Sequence, residues 1–321
     1  MRIRHARVLQ SFSAAVLLTA GVLAYIPPAD AALFFERENH PALWLVEDGQ
    51  SKIYIFGSHH VLKSGTRWMT ERLLDAVEEA DAFVFEVEPS EKWMPDAQDF
   101  IDGSGYLPEG ARLRDLLSEE ALASYHRVMR DLDLDPLEMD KQQPWLAQLT
   151  LNSAFYGERA YSVEYGSDVR ILRYANSHDK PVRFLETPRQ QLEYFAAAME
   201  SAPVNGLEKV VHTLRDDPNA ITDNIRNWRA GNVEEMATRL HDFFSYSPST
   251  RRILLDDRNR SWATQIGAMM TEQQTYFVTV GVGHLGGPGS VIEILCKEGW
   301  NVTRVPTRGE DVPQACALPG N

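Results

Sequence analysis

The sequence predicts an α/β fold: a central mixed β-sheet flanked by helices and carrying a large helical insertion. Three observations predict it. Two apolar runs rich in β-branched and aromatic residues, Ser51–Phe56 (SKIYIF) and Tyr276–Val280 (YFVTV), each break into a glycine-bearing turn followed by a helical pattern. Two further runs, Ala82–Val87 (AFVFEV) and Pro181–Leu185 (PVRFL), read as strands that end on an acidic residue, Glu86 and Glu186. Between the strand-bearing ends, apolar residues recur at helical spacing through most of 89–270. The sheet must therefore be completed by segments far apart in sequence.

In chain order, residues 1–31 read as a secretory signal, with Arg2, Arg4 and Arg7 as a basic start and Ser13–Ile26 as an apolar core. Ala29-Asp30-Ala31 then supplies an A-x-A cleavage site, so the mature chain is expected to begin near Ala32 and to be periplasmic or secreted. The apolar core is short for a membrane span, so no membrane insertion is expected after cleavage; an uncleaved anchor is the alternative. Residues 32–305 form the expected α/β domain and 306–321 a loose tail. With 44% hydrophobic and 24% charged residues the composition is that of an ordinary globular protein. A net charge of -14 argues against nucleic acid or an anionic membrane surface as a partner.

Pro41–Phe56 holds two apolar runs separated by Asp48-Gly49, a strong hairpin signal. Met69, Leu73, Val77 and Ala80 then predict a helix over Thr66–Ala80. In the strand that follows, Glu86 alternates with Val87 and shares a face with Glu88, and a carboxylate in an otherwise apolar strand is costly to bury unless paired or coordinated. Pro89–Gly110 is rich in Pro, Gly and Asp and reads as a connection. Helices are marked next by Leu122, Tyr125, Met129 and Leu132; by Pro144 through Phe155; and by Val169, Leu172 and Ala175. After the strand at 181–185, further helices continue to about Met270. The two cysteines, Cys296 and Cys316, either close a short loop in an oxidising compartment, contributing on the order of 3 kcal/mol, or remain as two thiols with Cys296 packed on its helix.

The chemistry-bearing pattern occurs twice. Ser51–Phe56 runs into Gly57-Ser58-His59-His60, and Tyr276–Val280 into Gly281-Val282-Gly283-His284, so both sites read strand, then Gly-x-x-His. Strands buried on both faces present ligands at the crevice beyond their C-terminal ends, and glycines there allow close approach. Imidazole is both the usual general base near neutral pH and the commonest metal ligand, although each histidine also reads as a hydrogen-bonded structural residue. Ser58 and Ser290 lie beside the histidines, but neither stands in Gly-x-Ser-x-Gly. Gly281–Gly286 formally matches G-x-G-x-x-G, yet no acidic residue closes the next strand, Val302–Val305, as a dinucleotide site requires.

An ordered set of short motifs carries a resemblance. Gly57–His60, Phe85-Glu86-Val87, Tyr106–Gly110, Lys141–Trp145, Leu185-Glu186-Thr187 with Gln190 or Gln191, Arg258-Asn259 and Val280–Gly289 occur in the order found in the TraB/GumN family, which the chain resembles over nearly its whole mature length. The resemblance implies a fold similar to erythromycin-esterase and ChaN-type haem-binding proteins. It also implies an activity like that of the Tiki proteins of the family, which look like metal-dependent peptidases. Carried onto this chain, it points to His60, Glu86 and His284 as catalytic and metal-holding residues, with Glu186, Arg258 and Asn259 as supporting, substrate-binding residues. Two imidazoles and a carboxylate would suit Mn, Co, Zn or Fe. Hydrolysis needs the same kinds of group: a base to activate water, an acid for the leaving group, and a cation for the oxyanion. The expected substrate is a peptide or protein; the competing reading is a non-catalytic protein that sequesters a peptide, haem or a metal. Arg258 reads either as a clamp for a substrate carboxylate or as an ion-paired structural arginine beside Asp256 and Asp257. One departure is the doubled His59-His60, where the family has an apolar residue before the histidine; His59 either competes for the site or faces the other side of the strand.

Overall fold

Leu43–Glu47 (β1) and Lys52–Ser58 (β2) form an antiparallel hairpin in which Glu47 lies opposite Lys52. Asp48 makes the turn by accepting the backbone N–H groups of Gln50 and Ser51 at 3.0 and 2.9 Å, and Gly49 takes the positive φ of 89° that a side chain would resist. The structure is a computed structural model and describes residues 40–88, 94–200, 202, 204–217, 219–306 and 316. The expected signal at 1–31 and all of the expected tail except residues 306 and 316 lie outside the described residues.

The remaining strands are Leu62–Lys63 (β3), Ala82–Val87 (β4), Tyr161–Ser162 (β5), Val182–Glu186 (β6), Thr275–Gly281 (β7) and Val302–Arg304 (β8). Six of them build one mixed sheet in the order β6-β4-β7-β2-β1-β8; β3 and β5 pair separately. β6, β4, β7 and β2 run parallel, whereas β1 is antiparallel to both β2 and β8. The central strands are buried on both faces, at every residue of β4 and at all of β7 but its first, which is why their sequences lack the polar alternation of a half-exposed strand. Helices flank this sheet. Tyr174 from the helix Ser167–Ser177 meets Phe83, and Trp228 from the helix Ala220–Arg229 meets Phe56 and Trp68, with ring centroids 5.9 to 6.4 Å apart. Each such aromatic pair adds roughly 0.5–1.5 kcal/mol beyond its buried area.

Two expectations need correction. The helix predicted over Thr66–Ala80 begins only at Glu71, because the Thr70 hydroxyl caps it by accepting the Leu73 N–H, while Trp68 ahead of it is buried and stacks on Phe56. The Pro89–Gly110 connection contains a helix, Met94–Ser104. Its Pro95 stands in the first turn and its Gly103 near the last, where both are tolerated, and Ala97 and Ile101 bury one stripe against Trp145 and Leu192 in a second apolar cluster.

That second cluster is built within the helical insertion and includes Leu254 and Leu255 from a π-helical turn, Arg252–Asp256. The helix Asp257–Met269 continues from this turn without interruption, and Arg258 is its second residue. Cys296 on the helix Val291–Lys297 is joined to Cys316 by a disulfide, which decides between the two readings of the cysteines. Among the described residues, no helix is long and apolar enough to cross a membrane.

Candidate functional site

β2 and β7 are parallel neighbours with Ser58 opposite Gly281, so the two Gly-x-x-His turns leave the sheet side by side. A Cβ on Gly57 would come within 3.0 to 3.3 Å of Val282, tighter than side chains ordinarily pack, so glycine eases the close approach of the two turns. The indole N–H of Trp228 donates to the Gly57 carbonyl at 2.7 Å and fixes the first turn. The loop after β2 is pinned to the start of the helix Ser167–Ser177: Ser167 N–H donates to the His59 carbonyl (3.1 Å) and His59 N–H donates to Ser167 Oγ (2.9 Å). Gly166 makes that contact possible, since a Cβ there would collide with the His60 carbonyl.

These constraints aim His60 inward and His59 away. His60 Nδ1 lies 2.9 Å from Asp168 Oδ2, and its Nε2 lies 3.8 Å from Glu86 Oε2. His59 instead packs its ring against Trp228, 5.7 Å between centroids, so the extra histidine faces the other side. Burial, reinforced by the neighbouring His60, pushes His59 down to about 4 and leaves it neutral. For His60 burial works in the same direction, but the Asp168 carboxylate and its hydrogen bond, helped by Glu86, override it and raise the imidazole to about 9.

Glu86 and Glu186 stand at the C-terminal ends of the adjacent parallel strands β4 and β6. Glu86 Oε1 accepts the Gly281 backbone N–H at 2.5 Å, tying the β4 end to the second histidine turn. Glu186 is held by Arg258 through two bonds, Nε to Oε1 at 2.8 Å and NH2 to Oε2 at 2.9 Å, and by the Trp262 indole N–H at 2.9 Å. Arg258 NH1 also donates to the carbonyl of Leu254, in the π-helical turn just before it, at 3.2 Å. Burial opposes the charge of Arg258, yet Glu186, its hydrogen bonds and Glu86 at 3.8 Å keep the guanidinium firmly protonated.

The second histidine has an assigned tautomer. Asn259 Nδ2 donates to the Gly289 carbonyl at 2.8 Å, so its Oδ1 faces His284 Nδ1 at 2.6 Å and must accept a proton there. His284 Nε2 therefore carries the lone pair, which receives Arg258 NH1 at 3.4 Å. Burial, then Arg258, then His60 hold His284 well below the ordinary histidine range, so it is neutral. Its ring lies against Trp262, with centroids 4.5 Å apart.

At the centre of the group is Gly281. A Cβ there would sit 3.1 Å from both Glu86 Oε1 and His60 Nε2 and 3.6 Å from His284 Cδ2. Below His60 and Glu86 lies a cavity of about 20 Å³, room for one water-sized occupant. All six residues singled out from the sequence, His60, Glu86, Glu186, Arg258, Asn259 and His284, thus meet in one cluster. Glu186 and Asn259 are occupied within the protein, with Arg258 and His284 respectively.

The TraB/PrgY/gumN family model matches residues 42–304. The chain belongs to this family. It is also similar to the uncharacterized protein YbaP of Escherichia coli (strain K12) and to YbaP of Shigella flexneri, each 26% identical over 265 residues, covering 81% of this chain and 94% of the relative. The matched stretch of this TraB/PrgY/gumN chain contains every residue of the cluster.

Asp168 and Trp262 escaped the sequence reading. An acidic residue in the first turn of a helix is ordinarily explained by the helix dipole, and nothing local says that Asp168 faces a histidine 108 positions earlier. For a metal, the donor types suit but the spacing does not. Arg258 stands among His284, Glu86 and Glu186, and among the described residues no three His, Cys, Asp or Glu side chains are placed to hold an ion.

Proposed function

We propose that this protein is an exported hydrolase acting on peptide bonds, with Glu86, His60 and Arg258 as its working groups. The observation that carries the reading is the convergence of the Glu86 carboxylate and the His60 imidazolium on Gly281, with the buried Arg258 guanidinium 3.8 Å from Glu86, at the C-terminal edge of a parallel sheet and beside a cavity of one-water size. In this arrangement Glu86 accepts a proton from the attacking water. His60, kept charged at neutral pH by Asp168, donates to the leaving nitrogen. Arg258, preorganised by Glu186 and Leu254, faces the developing oxyanion with its charge already in place. His284, neutral and fixed by Asn259, orients the third nitrogen of that guanidinium.

The choice of peptide substrates follows from the resemblance to Tiki proteins, and export follows from the basic, apolar leader at 1–31. The Cys296–Cys316 bridge agrees with an oxidising compartment. A divalent ion at His60, Glu86 and His284, the form that the resemblance implies, requires Arg258 to leave His284 Nε2 and His60 to lose its proton.

The test is cleavage of a peptide library by the mature protein after chelation, then with Mn, Co, Zn or Fe added back. Turnover after chelation that is lost in Glu86→Gln supports the reading built on Arg258. Turnover only with an added ion assigns the chemistry to a metal. Peptide binding without cleavage under every condition makes the protein a sequestering one.

A further inference from the structure

The cavity below His60 has polar walls that the protein does not satisfy. Ser58, Thr279 and Asp168 all line it together with His60 and Glu86, and the first three are 2%, 1% and 6% exposed. Ser58 Oγ, Thr279 Oγ1 and Asp168 Oδ1 are each buried without a hydrogen-bond partner. Each such atom forfeits its bond to water with nothing in exchange, and three around one small space are more than a fold ordinarily leaves uncompensated. The three residues come from β2, β7 and the helix Ser167–Ser177, elements that assemble only in the folded chain. The remaining lining is largely apolar, with Phe85 and Leu172 among it.

We propose that this cavity is a built seat for a single water molecule, and that this water is the nucleophile of the hydrolysis inferred above; the second half of the statement rests on that reading. A volume of about 20 Å³ admits one water, and a buried water needs two to four polar partners. Two hydroxyls able to donate and two carboxylates able to accept supply them. At rest both hydroxyls donate to the water, which donates to Asp168 Oδ1 and to Glu86, so all three orphaned atoms are satisfied; on attack one hydroxyl bond is released and frees the lone pair that reacts. Its oxygen bonds to the carbonyl carbon while its proton passes to Glu86, and the carbonyl electron pair moves onto the oxygen facing Arg258. When the tetrahedral species collapses, the carbon–nitrogen bond breaks and the nitrogen takes the proton of His60. Asp168 then holds the imidazolium through Oδ2 and the water through Oδ1. Ser58 and Thr279 are positioning residues.

The experiment joins a high-resolution crystal structure to kinetics, on wild type and on a Ser58→Ala/Thr279→Val double variant. Thr279→Val preserves shape and Ser58→Ala removes one atom, so both should fold; Thr279→Val alone is the second variant if the double one does not. The expected result is an ordered water in the wild-type cavity, bonded to at least two of the three oxygens and missing or displaced in the variant. The kcat should fall by about 10- to 100-fold with KM unchanged, the signature of a misplaced reactant rather than of weakened binding. An empty wild-type cavity, a cavity holding some other species, or a wild-type kcat in the double variant overturns the proposal. An ordered water in a protein that cleaves nothing overturns the hydrolase reading and the water's nucleophilic role, while confirming the seat.

Discussion

Replacing Arg258 by methionine, which keeps the length of the stem and removes the charge, tests the centre of the network. Arg258 is 6% exposed and its guanidinium gives Glu186 two charge-assisted bonds. Without it Glu186, also 6% exposed, keeps only the Trp262 indole as a partner and remains in the field of Glu86. Stranding one member of a buried pair in this way costs about 3–5 kcal/mol. At about 2.1 cal/mol/K of unfolding entropy per residue, a chain of 321 residues shifts its melting point by roughly 1.5 °C per kcal/mol, so Arg258→Met should melt about 4–8 °C lower. Neutralising the stranded partner should recover more than half of that loss, because Glu186→Gln still accepts from Trp262 but carries no charge. Thermal and urea melts of wild type, Arg258→Met and Arg258→Met/Glu186→Gln measure both quantities. A single variant within about 1 kcal/mol of wild type would show that the pair carries no structural weight. A double variant as unstable as the single one would show that the loss comes from packing and not from the stranded charge.

If His60 and Arg258-bound His284 serve one reacting centre, His60→Ala and His284→Ala should each remove most activity and the double variant should be little worse than either. His59→Ala should be milder, since that ring packs on Trp228; a larger loss from His59→Ala than from His60→Ala reverses the assignment. Gly281→Ala should fold normally, because φ of -55° and ψ of 131° suit alanine, yet lose about tenfold or more in rate as its methyl crowds Glu86 and His60 at 3.1 Å. Unchanged turnover in folded Gly281→Ala would remove that glycine from the centre of the site. At the other end of the sheet, hydrogen bonds from Arg183 and then Tyr276 pull Glu272 down to about 2. The sign follows from a folded pKa below the unfolded one: the contribution is complete above about pH 4.5 and fades toward pH 2. The gap in melting temperature between wild type and Arg183→Ala should therefore close over that interval, and a gap independent of pH counts against the ion pair.

The local elements were legible because their signals are local. The Asp48-Gly49 turn, the apolar runs of β4 and β7, and Pro144 at the start of a helix all appear where the sequence places them. The two failures share a cause. Thr66–Glu79 contains a threonine able either to continue a helix or to cap it, and Trp68 chose the capped form by inserting into the core. In Met94–Ser104, helix-breaking residues fell at the ends, where they do no harm, and the deciding contacts with Trp145 and Leu192 lie about 50 to 100 positions away.

By itself the sequence determined which residues would meet at one place: the histidines follow strands, the glutamates end them, and strand ends of a parallel sheet converge on one edge. The sequence could not determine how those groups are charged or aimed. His60 and His284 occupy matching places in matching motifs, yet one is driven up by Asp168 and the other down by burial and Arg258. Only the packed chain brings Asp168 from one helix and Arg258 from another against them. A protonation state depends on the dielectric and the charges within a few ångströms, and those neighbours come from segments about 25 to 110 residues away. The doubled His59-His60 makes the same point within one dipeptide, because both residues lie in the loop just past β2, and the backbone ties to Ser167 with the contacts to Trp228 and Asp168 settle which ring enters the site.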